Sequence, residues 1–163
     1  FDKVSETAMH QQFMNAETDK KYLAILRGFT PDAMDIDYPL AKENGTMQDA
    51  FTSFRTLQRA EVAVAFGKHQ TSRYSLVEAT PKTGRMHQLR RHFSHILHPI
   101  IGDRTHGCNK QNKFFKTQWD MTTMLLHASE LAFTHPITRE KIHLKAGLHD
   151  EFKRVMDFMK MEP

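Results

Sequence analysis

Cysteine is almost missing from this chain. Cys108 is the single one among 163 residues, so no disulfide can close within it. Such poverty in cysteine belongs with a reducing compartment, which makes the cytoplasm the expected location. Long apolar runs are missing too. None approaches the ~18 residues of a membrane-crossing helix, so no membrane partner is expected. The opening "FDKVSETAMH" has no starting Met and no secretory pattern. A chain that opens on Phe1 is expected to be a piece of something longer. Repeats and low-complexity tracts are absent, which argues against solenoids and linkers. An acidic excess is absent as well: Lys plus Arg is 23 against 19 for Asp plus Glu, a net charge of +4. The 11 histidines add to that charge below neutral pH. This balance suits an anionic partner without proving one.

What remains reads as one globular domain. Hydrophobic residues make up 39% and charged residues 26%, a mixture too apolar for disorder. The length suffices to bury a core. Residues 4 to 14 predict an amphipathic helix with Val4, Ala8 and Phe13 or Met14 near one face. Residues 19 to 28 alternate as a strand that Gly28 stops. Residues 30 to 46 hold two prolines and Gly45 and predict a loop, with a short strand near Tyr38 to Leu40. Residues 50 to 67 predict one bent strand or two, and residues 72 to 81 another. Residues 85 to 98 place Met86, Leu89, Phe93 and Leu97 at helical spacing, ended by Pro99. Residues 107 to 120 read as an irregular polar stretch with aromatics. Residues 125 to 136 and 140 to 147 predict a hairpin, and 150 to 160 a closing amphipathic helix. Strands outnumber helices and most connections are short. The expected class is α+β, a mainly antiparallel mixed sheet with flanking helices.

The densest chemistry lies in "TGRMHQLRRH", residues 83 to 92. It falls where a strand is expected to turn into a helix. Unsatisfied N–H groups and partial positive charge at a helix start suit an anion. Arg85, His87, Gln88, Arg90 and Arg91 would join that start in an anion site. Composition alone favours a plainer reading, a basic helix solvated on one side. A metal is a third reading, because His87, His92, His95 and His98 fall within twelve positions. No carboxylate stands at ligand spacing beside them, so no metal is expected. Cys108 has no nucleophile signature.

The stretch "LVEATPKTGRMHQLRRHFSHILHPIIGD" resembles the long motif of the pseudouridine synthases of the RluA type. Thr80, Pro81, Thr83, Gly84, Arg85, His87, Gln88, Leu89, Arg90 and His92 stand in register with it. His98, Pro99, Ile100, Gly102 and Asp103 follow. "KKYLAILRG" is similar to the family's lys-x-tyr strand through Lys20, Tyr22, Ala24 and Gly28. "LLHASELAFTHPITRE" resembles a third family segment through Leu126, His127, Ala128, Leu131, Phe133, His135 and Pro136. The double arginine before His92, "HPIIGDRTHG" and the stretch through Asn112 and Phe114 are most similar to the branch that modifies uridine 65 of tRNA.

That resemblance implies an isomerase that turns a tRNA uridine into pseudouridine, without cofactor or metal, as a cytoplasmic monomer. Ribosomal RNA is the alternative substrate, and an RNA-binding module without catalysis the alternative role. Arg85 is implied as partner of a catalytic aspartate, and Tyr22 as the residue that stacks on the uracil. Leu126 is implied as an apolar floor. Lys82, His87, Gln88, Arg90, Arg91 and Arg104 are implied as RNA contacts, with Lys110 and Lys113 as weaker candidates. His87 and Gln88 would fill the space of the flipped base or brace Arg85. The sequence departs from the family in one respect. The nucleophile's his-arg-leu-asp motif occurs nowhere in it. The chain is therefore expected to be the C-terminal part of one catalytic domain, with the aspartate upstream of Phe1. Asp2, Asp19 and Asp103 are not expected to replace it.

Overall fold

In the strand β1 (Asp19–Arg27) the run Ala24, Ile25, Leu26 is completely buried. Neighbours in a strand point to opposite faces. A strand buried on both faces must therefore lie inside a sheet covered on both sides. The computed structural model of the chain, which describes residues 2–14 and 17–162, has that arrangement. β1 is joined by β2 (Ala33–Asp37), the short pair β3 (Leu40–Ala41) and β4 (Met47–Gln48), β5 (Phe51–Val62), β6 (Ser72–Pro81), β7 (Leu126–Thr134) and β8 (Lys141–Lys145). Six of them form one sheet in the order β2-β5-β6-β1-β7-β8. Every neighbouring pair in it is antiparallel. The helices are α1 (Lys3–Met14), α2 (Gln88–His95), α3 (Asn109–Trp119) and α4 (Asp150–Phe158). The expected α+β class and antiparallel sheet stand.

One face of the sheet packs Ile25, Tyr74 and Leu76 against Phe115 of α3 and Phe152 and Val155 of α4. The other packs Ala24, Leu26, Phe54 and Val77 against Leu89 and Phe93 of α2. β1 and β6 are thus the shared wall of two cores, and their register is pinned from both sides.

Four expectations fail locally, each for a physical reason. The loop expected over residues 30 to 46 contains β2, where Ile36 alone is buried and Asp35 and Asp37 lie exposed. Charge on such an edge strand deters further pairing, and it hides the strand from a search for apolar runs. The expected strand near Tyr38 to Leu40 shrinks to the bridge Leu40–Gln48, Ala41–Met47. The irregular stretch over 107 to 120 is α3, whose inner row Gln111, Phe115, Trp119 includes a polar residue. Tyr74 donates to the Gln111 side chain at 3.0 Å, which lets that glutamine face inward. In α1 the apolar positions are not the inner face: Val4 is 80% exposed and Met14 61%. Gln12 is buried instead, because its amide pairs with both backbone groups of Thr134, at 2.6 and 3.0 Å.

Candidate active site

Strand β6 ends at Pro81, and the chain must turn before α2. The turn is tighter than the helical pattern suggests. α2 begins at Gln88, not at Arg85, because His87 takes a left-handed conformation at φ 52°. Met86 and Leu97, which share the helical spacing of the buried Leu89 and Phe93, are 54% and 75% exposed. The helix start is not an open anion cradle either. The Gln88 side chain folds back, and its Oε1 accepts from the Arg85 N–H at 3.1 Å and from the Thr83 hydroxyl at 2.6 Å. Its Nε2 donates to the Phe51 carbonyl at 3.0 Å and to the Thr52 hydroxyl at 2.9 Å. The amide is fully used, and one of its bonds is to the backbone of Arg85.

The chain of hydrogen bonds continues inward. Thr52 Oγ1 lies 2.8 Å from His92 Nδ1, and His92 Nε2 lies 2.9 Å from the Tyr38 carbonyl. A carbonyl accepts only, so Nε2 carries a proton; in the neutral ring, which burial favours, Nδ1 accepts the Thr52 hydroxyl. Burial lowers the His92 pKa, as do the charges of His95 and Arg91, while the Tyr38 carbonyl and Asp37 oppose them.

Above this network lies a cavity of about 320 Å³, lined by Lys20, Tyr22, Leu126, Met124 and the turn from Thr83 to Arg90. It brings Arg85, Tyr22, Leu126, His87, Gln88 and Arg90 of the expected site together. Arg85 Nε donates to the Asp49 carbonyl at 2.8 Å. The two terminal nitrogens of its fork keep no hydrogen-bond partner among the described residues. Tyr22 is half-buried, and burial raises its phenol pKa above 10. His87 Nδ1 meets His106 Nε2 at 3.2 Å. Among the described residues no carboxylate lines the cavity.

Arg90 differs from Arg85. Its fork is closed on Asp103 in a two-pronged pair, 2.9 and 2.8 Å. Asp103 is 1% exposed and also accepts from the N–H groups of Thr105 and His106. Burial alone would raise its pKa, but the hydrogen bond from Arg90, the His106 N–H and the Arg90 charge hold it below 3.8. Gly102 enables this corner: a Cβ there would lie 2.2 Å from the Thr123 carbonyl. Three other expected contacts lie outside the cavity. Lys82 is exposed beside it. Arg91 reaches the carbonyls of Ala41 and Met86, and Arg104 lines a separate cleft with Lys113 and Lys116. Lys20 carries no expected role, although the lys-x-tyr strand contains it.

The histidines are dispersed into separate roles. His95 stacks on Tyr38 with ring centres 3.6 Å apart, and His98 bonds the Arg27 carbonyl at 2.7 Å. Among the described residues no three His, Cys, Asp or Glu converge as metal ligands, and no helix is long and apolar enough to cross a membrane.

Residues 1–95 match the profile of the RNA pseudouridylate synthase family. The chain belongs to that family. Among curated relatives it is 42% identical over 155 residues to the tRNA pseudouridine synthase C of Vibrio cholerae serotype O1, covering 88% of this chain and 64% of that protein. The namesake from Salmonella typhi is 41% identical over 157 residues, covering 90% and 60%. The chain thus spans less than two thirds of the length of these relatives. Human RNA Pseudouridylate Synthase Domain Containing 4 superposes with a TM-score of 0.73 at 23% identity, over 99% of this chain and 70% of that one. Human RNA Pseudouridylate Synthase Domain Containing 1 gives 0.71 at 21%, over 100% and 74%. At such identity these two establish the pseudouridylate synthase fold alone.

Proposed function

We propose that this chain is the C-terminal part of a pseudouridine synthase catalytic domain that acts on tRNA as a cytoplasmic monomer. The target expected within tRNA is uridine 65. The supporting observation is the 320 Å³ cavity in which a free guanidinium fork, Arg85, faces the same space as Tyr22 and Leu126. The reaction breaks the C1′–N1 bond of a uridine, turns the uracil and joins C5 to C1′. It is redox-neutral and asks for a carboxylate at the ribose and a base at C5.

Arg85 is suited to hold such a carboxylate, since the planar fork takes both oxygens while Asp49 fixes the Nε side. Tyr22 offers an apolar ring to a stacked base and a polar tip to its edge. Leu126 supplies the floor. No carboxylate lines the cavity among the described residues, so the catalytic aspartate of the family pattern would reach Arg85 from ahead of Tyr22 in the chain. The uridine must be flipped out of folded RNA at a cost of a few kcal/mol. Phosphate contacts from Lys82, His87, Arg91 and Arg104 would offset it. Arg90, closed on Asp103, contributes by shaping the loop beneath.

Tritium release from tRNA labelled at uracil C5 tests this reading, using the protein as its gene encodes it and no added metal or nucleotide. Release from tRNA is expected. Release from ribosomal RNA alone would replace the substrate, and silence from folded protein on both would leave an RNA-binding module.

A further inference from the structure

One cation of the cavity has no task in the chemistry above. Lys20 stands two residues before Tyr22 on β1, with a shift in the β1–β7 register between Lys21 and Tyr22. Both line the cavity with Arg85. The Lys20 ammonium lies against the Gly84 turn: a Cβ at position 84 would sit 3.2 Å from Nζ. It lies 5.7 Å from the centre of the Phe13 ring. It makes no ion pair and no hydrogen bond among the described residues. It is half-buried, and burial lowers its pKa below 10.5. A partly dehydrated ammonium without an anionic partner among the described residues strongly favours any negative charge that forms beside it.

We propose that Lys20 is a catalytic residue, donating a hydrogen bond to a uracil carbonyl oxygen as the base leaves C1′. The proposal rests on the pseudouridine synthase reading. When the C1′–N1 bond breaks, its electron pair goes to N1, and the uracil becomes an anion with charge spread onto O2 and O4. The ammonium stabilises this charge where it develops and keeps its own proton. When C5 joins C1′ the ring is neutral again, with a hydrogen still on C5. A base then takes that C5 proton and N1 takes one up, so no proton is gained or lost overall. The balance needs no co-reactant. The donor is preorganised, because the Gly84 turn and the Phe13 ring confine it, and such a donor acts chiefly on the bond-breaking step.

The test is single-turnover kinetics with the protein as its gene encodes it. One tRNA carries the natural uridine, the other 5-fluorouridine at the same position. Fluorine makes the departing anion less basic, so it needs less help. It also blocks proton loss at C5, so the reading is the rate at which the N-glycoside disappears. Lys20→Met is expected to slow the natural substrate about 10²-fold. It should slow the fluorinated one clearly less and leave tRNA affinity little changed. Lys20→Arg should recover part of the loss. Equal slowing of both substrates, or unchanged rates, would overturn the proposal. Lys20→Gln with a normal melting curve guards against misfolding, and it must show the same substrate dependence. Inactivity of the unsubstituted protein on every RNA would overturn the function itself, and this proposal with it.

Discussion

A cleft opens at each end of the β1–β6 pair, and the larger one is the less prepared. At the Arg27 end the space is about 790 Å³, lined by Arg27, Lys68, His69, Arg73 and Phe29. Arg73 leans on the Phe29 ring at 5.2 Å and meets Glu61 at 3.5 Å, both well exposed. Exposed pairs of this kind contribute little and are screened by salt. At the Tyr22 end the cavity is less than half that size. There Arg85 is held at two points, and the glutamine that holds it is tied through Thr52 to a buried histidine. Both ends are basic and both offer an aromatic ring. They differ in how firmly the charged group is supported from behind. Support fixes where a guanidinium waits before the ligand arrives, and that lowers the ordering cost of binding and catalysis.

The contrast is broken most directly at its two arginines. Arg85→Lys keeps the charge but loses the fork, and turnover is expected to fall about 10³-fold with modest change in tRNA affinity. Arg73→Ala at the other cleft should leave turnover of bound tRNA as it was. Rate and affinity measured side by side for both variants check this. A turnover defect in Arg73→Ala that rivals Arg85→Lys would erase the distinction between the two ends.

Arg90 sharpens the same point from the stability side. Arg90→Ala strands the Asp103 carboxylate, 1% exposed, without its cation. Breaking a buried pair in this way costs about 3–5 kcal/mol, read as a lower urea midpoint at unchanged slope. Arg90→Met with Asp103→Asn should recover part of that loss, because no bare charge remains. The folded-state pKa of Asp103 lies below its unfolded value of 3.8. The pair's contribution is therefore complete above that value and disappears as pH falls through the folded one.

Gln88 is the link between turn and core. Gln88→Ala leaves the Arg85 N–H without a partner and the Thr83 hydroxyl without its acceptor, while the Phe51 carbonyl keeps the Lys82 N–H. Each buried group so left costs about 1–3 kcal/mol where water cannot reach it. Stability should fall by an amount in that range, and kcat should fall more than KM rises, since the affected residue is Arg85. Steady-state kinetics on tRNA separates the two.

How much of this is legible in the sequence depends on the range of the interaction. The expected helix over 85 to 98 is present, because Leu89 and Phe93 recur at helical spacing. The pattern misplaces its first turn, because the left-handed His87 depends on a glutamine that finds its partners in β5. Tyr22, Arg85 and Leu126 stand out through motifs 63 and 41 residues apart in turn, and the fold brings them to one cavity. Arg90 reads in the sequence as free for RNA. Its partner Asp103 lies 13 residues on, in a loop whose path only Gly102 and the packed core decide. β2 escapes notice because an edge strand with one buried side chain has almost no apolar period. Lys20 is in plain view in its motif and lacks only a reason, which is its isolation from every described carboxylate.

The smallest expected effect lies deepest in the network. His92 is completely buried as a neutral ring that accepts from Thr52 and donates to the Tyr38 carbonyl. Protonation would put a hydrogen on Nδ1 and force the Thr52 hydroxyl to turn away from it. That agrees with a folded-state pKa lowered from 6.5, chiefly by burial. The unfolded chain takes up this proton first as pH falls, so stability is complete above 6.5 and declines from there down through the folded value. His106 is lowered too, again chiefly by burial, and adds a decline of the same sign. The melting temperature should therefore drop between about pH 7.5 and about pH 5.5. His92→Gln keeps a donor for the Tyr38 carbonyl and removes the titration. It should be less stable at the upper pH and lose less on the way down, with the His106 share remaining. Calorimetry of both proteins across that range decides it, and parallel slopes would mean that His92 is not the group that resists the proton.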